Sequence, residues 1–154
     1  MDPRQDADHL YQALKTHTPR VRRDVRLASP PALSVAVSSP LCGSQLTLDA
    51  LIRDGRVDAL GYRVRACALG QASTAIVLQH VPGLGQAEIL RVREQLRQLL
   101  QQGEGHCDWP EFEVFALAHA MPARHAAALL PLDALAQLFT LADGNQAGTT
   151  PGSK

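Results

Sequence analysis

The chain has 154 residues, with 15 Lys plus Arg balanced by 15 Asp plus Glu, and three cysteines. That length fits one domain able to bury its own core, so folding does not call for metal or disulfide staples. Balanced charge argues against a polyanionic partner such as DNA or RNA. An odd, small set of cysteines argues against a secreted disulfide framework and for reduced thiols in a cytoplasmic protein.

The opening MDPRQDADHL is polar and acidic, which argues against a signal peptide. No apolar run is seen to approach the roughly 20 residues of a membrane helix, so no membrane association is expected. Residues 6–17 predict a helix with Leu10, Ala13, Leu14 and His17 on one face, capped by Asp6 or Asp8 and ended by Pro19. Residues 20–31, with Arg20, Arg22, Arg23 and Arg26, read as a solvated basic connector. Residues 32–38 (ALSVAVS) suit a short strand.

The clearest local signal is a hairpin. Leu46, Leu48, Ala50 and Ile52 alternate with polar neighbours, Asp54-Gly55 supplies the turn, and Leu60, Tyr62, Val64 and Ala66 share one side of the return strand. Two strands alone are marginal, so 32–38 is expected to add a third. Residues 68–80, small and apolar, predict a helix packed closely on the sheet. Residues 86–102 predict an amphipathic helix with Ile89, Val92, Leu96, Leu99 and Leu100 as its stripe. After the loop 103–108, Pro110 starts a further helix carrying Phe112, Phe115, Ala116 and His119. The last helical segment is 123–141, with Pro131 expected to kink or divide it. Residues 143–154 (DGNQAGTTPGSK) have the composition of a disordered tail, leaving 1–142 as the domain. The order predicts an α+β fold, with helices on one face of a small antiparallel sheet of about three strands.

Cys42 lies in Pro-Leu-Cys-Gly-Ser before the hairpin, and Cys67 at the far end of the return strand, at a helix start. In an antiparallel hairpin the start of one strand lies opposite the end of the next, so the two cysteines are expected to converge. A helix amino terminus also favours thiolate at Cys67, and Gly43 leaves backbone room for a metal or cluster. On spacing alone two small buried hydrophobes account for the pair better than a functional site does.

The surrounding residues add to this. Pro40-Leu41-Cys42-Gly43-Ser44, the hairpin, Arg65-Ala66-Cys67-Ala68-Leu69-Gly70-Gln71-Ala72-Ser73 and then Met121-Pro122-Ala123-Arg124-His125 resemble the iron–sulfur cluster assembly scaffolds of the IscU/SufU/NifU N-terminal type. The resemblance spans about residues 6–140, and with it comes a SufE/NifU-like fold. It implies iron or a transient Fe–S cluster as cargo at Cys42 and Cys67, sulfur from a cysteine desulfurase, delivery to cluster-recipient proteins, and a homodimer as one way to complete the ligands. Two departures stand out. Ser44 replaces the family's aspartate, and Ala126 or Ala127 stands where the third cysteine belongs. His125 beside that gap is the implied third ligand, with Gly43 and Ser44 auxiliary. A zinc-dependent sulfur acceptor of the SufU type and a degenerate interaction module without metal are the other readings. Cys107, next to His106, reads as a surface thiol without a role.

Overall fold

The alternation around Asp54-Gly55 produces the hairpin at the centre of the molecule. In the computed structural model, which describes residues 3–27 and 30–149, strand β2 spans Ser44–Arg53 and β3 Arg56–Arg65. Asp54 (φ 53°) and Gly55 (φ 74°) both take the left-handed backbone that a two-residue hairpin turn requires. The ladder shifts register between Leu51 and Ile52: Leu51 faces Ala59 and Ile52 faces Val57, so Asp58 has no partner of its own on β2. Strand β1, Leu33–Ser39, pairs antiparallel with β2, giving one sheet in the order β1-β2-β3. The expected α+β fold with a three-stranded antiparallel sheet is the one found.

Helix α1 (Pro3–Leu14) begins earlier and ends earlier than its pattern predicts, and a short 3₁₀ turn, Thr18–Val21, follows with Pro19 in its first turn. The basic segment after it is not simply solvated. Arg26 makes a two-point ion pair with the buried Asp49 of β2 (Nε–Oδ2 2.7 Å, Nη2–Oδ1 3.0 Å). The Leu27 amide and the Ser34 hydroxyl donate to the same carboxylate, at 3.0 and 2.7 Å. Gly61 permits this crossing, because a Cβ there would stand 2.6 Å from the Leu27 nitrogen.

Helix α2 (Ala68–His80) is buried almost all round, at Leu69, Gly70, Ala72 through Val77, which is why it shows no polar face. Helix α3 (Gln86–Gln102) is amphipathic as predicted, with Ile89, Val92, Leu96, Leu99 and Leu100 buried. It closes on Gly103 in left-handed conformation, whose amide bonds Leu99 O at 2.9 Å. Residues Pro110–Ala118 form a 3₁₀ helix rather than an α-helix. A 3₁₀ helix has three residues per turn, so Trp109, Phe112, Phe115 and Ala118 stack on one side, and all four are buried.

Helix α4 spans His125–Thr149 after a 3₁₀ turn at Pro122–Arg124. Pro131 does not divide it. The proline removes the donor that Ala127 O would have used. That carbonyl faces Gly70, and the next one, Ala128 O, accepts the Ser73 hydroxyl at 2.5 Å. Helix therefore covers 143–149, residues with tail-like composition, while 150–154 lie outside the described residues. The stretch Pro122–Gly144 is long and apolar enough to cross a membrane, a feature the run-length reading did not register. In this fold its apolar length is used in the core, where α4 packs on α2, α3, β1 and β2.

Candidate functional site around Cys42 and Cys67

The register fixes where the cysteines go. Ser39 pairs with Ser44 across β1 and β2, and Gln45 with Arg65 across β2 and β3. The end of β1, the start of β2 and the end of β3 therefore lie together at one end of the sheet. Residues 40–43 turn between β1 and β2, closed by the Gly43 amide on Ser39 O at 2.8 Å, with Gly43 at φ 73°. Cys42 rides on this turn. Cys67 directly follows β3 and is the N-cap residue of α2, its carbonyl taking the Gln71 amide at 2.9 Å.

The two cysteines meet through buried serines. Cys42 Sγ lies 3.2 Å from Ser44 Oγ and 3.5 Å from Ser39 Oγ. Ser44 Oγ accepts the Cys67 amide proton at 3.2 Å. Burial pushes the Cys42 thiol up, but contacts from Ser39, Ser44 and Cys67 outweigh it, and its pKa falls below the ordinary thiol value. Both cysteines are half-buried. A Cβ at Gly43 would meet nothing within 4 Å, and Leu41 is 77% exposed, so the turn carrying Cys42 opens to solvent.

The structure does not add His125 to the pair. Its Nε2–H donates to Ala118 O at 2.8 Å, and among the described residues no three His, Cys, Asp or Glu side chains are grouped to hold a metal ion. Of the two alanines at the missing cysteine, Ala126 is exposed, whereas Ala127 is buried against Gly70, three residues beyond Cys67. Ala127 is thus the one that faces the start of α2. Cys107 is no surface thiol: it is 1% exposed, and burial beside Asp108, Glu113 and Glu111 raises its pKa to about 11. The reading of the residues missed Ser39. Its signal was a serine at a strand end, three positions before a cysteine. A groove of about 770 Å³ between β1 and α4, lined by Ala36, Val37, Ser38, Asp133 and Gln137 among others, contains neither cysteine.

The fold and the paired thiols define a class of small α+β proteins with two cysteines at the open end of a hairpin. The chain is 30% identical to the crystal structure of a nitrogen-fixing NifU-like protein (N-terminal) from Brucella abortus, with TM-score 0.79, covering 88% of this chain and 95% of that one. It belongs to the IscU/SufU/NifU-like family. A candidate iron–sulfur cluster assembly scaffold for the SUF system from Fervidobacterium islandicum AW-1 shares the fold at 18% identity, with TM-score 0.68 over 80% of this chain and 91% of that one. So does a hypothetical protein at 19% identity and TM-score 0.70, covering 86% of this chain and 98% of that one. No family model matches the sequence, and no curated protein matches it.

Proposed function

We propose that this protein is a scaffold or carrier in iron–sulfur cluster assembly. Cys42 and Cys67 hold iron or a nascent cluster as transient cargo, sulfur arrives from a cysteine desulfurase, and the cluster passes to recipient proteins. The observation that carries this reading is the convergence of the Cys42 thiol and the Cys67 backbone amide on Ser44 Oγ at an open end of the sheet, in a chain of the NifU-like family. Thiolates suit iron in such clusters. The exposed Leu41 beside Cys42 gives a partner protein an apolar contact at the transfer point.

The donor set fits cargo that is handed on and does not fit resident zinc. Tetrahedral zinc needs four good donors, and here a serine hydroxyl stands beside the two cysteines while, among the described residues, no third His, Cys, Asp or Glu is grouped with them. His125 enters as a ligand through Nε2 only by giving up Ala118 O. Two copies supply four thiolates, the complement a [2Fe–2S] cluster takes, so the cargo-bearing form is a homodimer in this reading. A cytoplasmic location follows from the same role.

Anaerobic reconstitution with ferrous iron, cysteine and a cysteine desulfurase tests it. The expected result is a visible cluster chromophore at one cluster per two chains, lost in Cys42→Ala and Cys67→Ala and kept in His125→Ala. Equal iron in the double cysteine variant, or none in the parent protein, overturns the reading.

A further inference from the structure

We infer that β1 is a self-association edge: two copies of this chain pair antiparallel through Leu33–Ser39 about a twofold axis at Ala36, joining their sheets into one. The inference goes beyond the cargo reading and does not rest on it.

The two edges of the sheet are finished differently. The β3 edge is closed by other segments. Val25 bridges to Tyr62, with its amide on Tyr62 O at 3.0 Å, and the Val57 amide reaches Leu84 O at 2.9 Å. Among the described residues, no strand or bridge pairs with β1 on the side away from β2. Native proteins protect such an edge with lysine, proline, a bulge or a very short strand. β1 has seven residues, LSVAVSS, with no charge and no proline, and its ladder to β2 runs without a register shift.

The apolar layer is incomplete at the same edge. Leu46, Leu48 and Ala50 of β2 are fully buried, whereas their partners on β1, Val37, Val35 and Leu33, are only half-buried against the core. Beside them lies the groove of about 770 Å³ between β1 and α4, with Leu130 and the 43% exposed Leu141 in its wall.

A second copy supplies what is missing. Residues directly opposite in a ladder share a face of the sheet. Pairing about Ala36 therefore sets Val35 against Val37 of the second copy, which extends the apolar layer over the groove. On the outer face Ser34 meets Ser38 and Ala36 meets its own image, all small and uncharged. Charge does not oppose the contact. The charged residues of the groove, Arg93 and Asp133, pair with each other at 2.7 Å, and the chain has as many basic as acidic residues. A groove without net charge selects no charged partner and admits its own image. The twofold keeps the cysteine sites apart. Ser39 stands opposite Leu33 of the second copy, so the two Ser39 residues lie about 20 Å from each other along the ladder. Cys42 and Cys67 stay open in both copies, and a cluster shared between chains uses a different contact.

Sedimentation equilibrium of the metal-free, reduced full chain is the test. The parent protein is expected to be a dimer at micromolar concentration. Ala36→Lys sets two like charges opposite each other across the axis and is expected to weaken the dimer about tenfold or more, as is Ala36→Glu. Mixing these two variants is expected to restore a dimer with one chain of each, which a folding defect does not predict. Disulfide trapping reads the register in proteins that also carry Cys42→Ser and Cys67→Ser, where the remaining native thiol, Cys107, is 1% exposed. Directly opposed Cα atoms lie about 4.5–5.5 Å apart, within disulfide reach. Ala36→Cys is expected to link to itself, and Ser34→Cys to link to Ser38→Cys but not to itself. A monomeric parent overturns the inference and leaves the edge to an extended segment of another protein. A mixture of the charged variants that stays monomeric, or Ser34→Cys linked to itself, overturns it too. Iron uptake is scored separately. A dimer that takes up no iron strikes the scaffold reading alone, and a metal-free monomer that takes up iron strikes this inference alone.

Discussion

Ser44 Oγ lies 3.2 Å from Cys42 Sγ and 3.2 Å from the Cys67 amide nitrogen, so one hydroxyl joins two segments 23 residues apart. The contact follows from strand pairing. Ser44 opens β2 next to the Gln45–Arg65 pair, which carries it to Cys67, the N-cap of α2. Ser44 is, with Ser39, one of the contacts that hold the Cys42 thiol below its ordinary value.

Cys42 and Cys107 should separate cleanly by alkylation rate. Cys42 has a pKa below the ordinary thiol value and is half-buried, whereas Cys107 is 1% exposed with its pKa raised to about 11. Iodoacetamide at neutral pH should label Cys42 in the folded protein and leave Cys107 untouched until denaturant is added. Because a lowered pKa populates thiolate at lower pH, the Cys42 rate should rise at lower pH than that of a free cysteine. Ser44→Asp should move that rise upward through like-charge repulsion. Peptide-resolved mass spectrometry across pH checks both, and an unmoved profile in Ser44→Asp counts against the role given to this position.

Ala127→Cys should lengthen the life of a reconstituted cluster. Ala127 is buried against Gly70 in the first turn of α2, so a thiol there adds a third donor on the side that lacks one. Chromophore decay under a chelator is expected to slow several-fold, while Ala126→Cys, at an exposed position, should leave it unchanged. Equal decay in all three proteins would exclude this face of α4 from the site.

Asp49 holds the basic segment to the sheet. Burial pushes its carboxyl up, but the Arg26 guanidinium, the Ser34 hydroxyl and the Leu27 amide outweigh this and hold its pKa below the ordinary value. A depressed folded pKa gives stability that is present above the unfolded carboxylate value and is lost as pH falls through the folded one. Asp49→Asn should cost about 2 kcal/mol near pH 7, at the low end for a broken buried pair because Arg26 is 43% exposed and keeps part of its hydration. In urea titrations the gap between the two proteins should narrow as the pH drops below about 4. A gap that stays constant with pH removes the carboxylate from the explanation.

Ser73→Ala should cost about 1–2 kcal/mol of unfolding free energy, because Ala128 O would lose its buried donor beside the proline. Thermal or urea unfolding measures it. A cost near zero would mean that this bond adds nothing to the packing of α2 on α4.

The sheet was legible because its rules are local. Alternation placed β2 and β3, Asp54-Gly55 fixed the turn, and antiparallel pairing was enough to bring Cys42 toward Cys67. The helices were legible in place but less so in kind. Trp109, Phe112, Phe115 and Ala118 repeat every three residues, yet Ala116 and His119 also satisfy an α pattern, and only packing decides between them. Arg26 looked solvated because its partner, Asp49, lies 23 residues away across the fold. Cys107 looked exposed because its loop is polar, while its burial comes from elements that fold over it. Pro131 looked like a break, yet it removes a donor from one carbonyl only, Ala127 O, and α4 runs through it.

The unpartnered Asp58 on the return strand sets a count. Between the tip at Asp54-Gly55 and the first residue of α2, β3 carries one more residue than β2 needs to match it. Deleting Asp58 would remove the offset and change no pair: Ile52 would still face Val57 and Leu51 would still face Ala59, so every rung out to Gln45–Arg65 would keep its partner. Cys67 would stay beside Ser44. A single spare residue far from the sulfurs thus gives the return strand slack to lose one position without putting the two halves of the site out of phase.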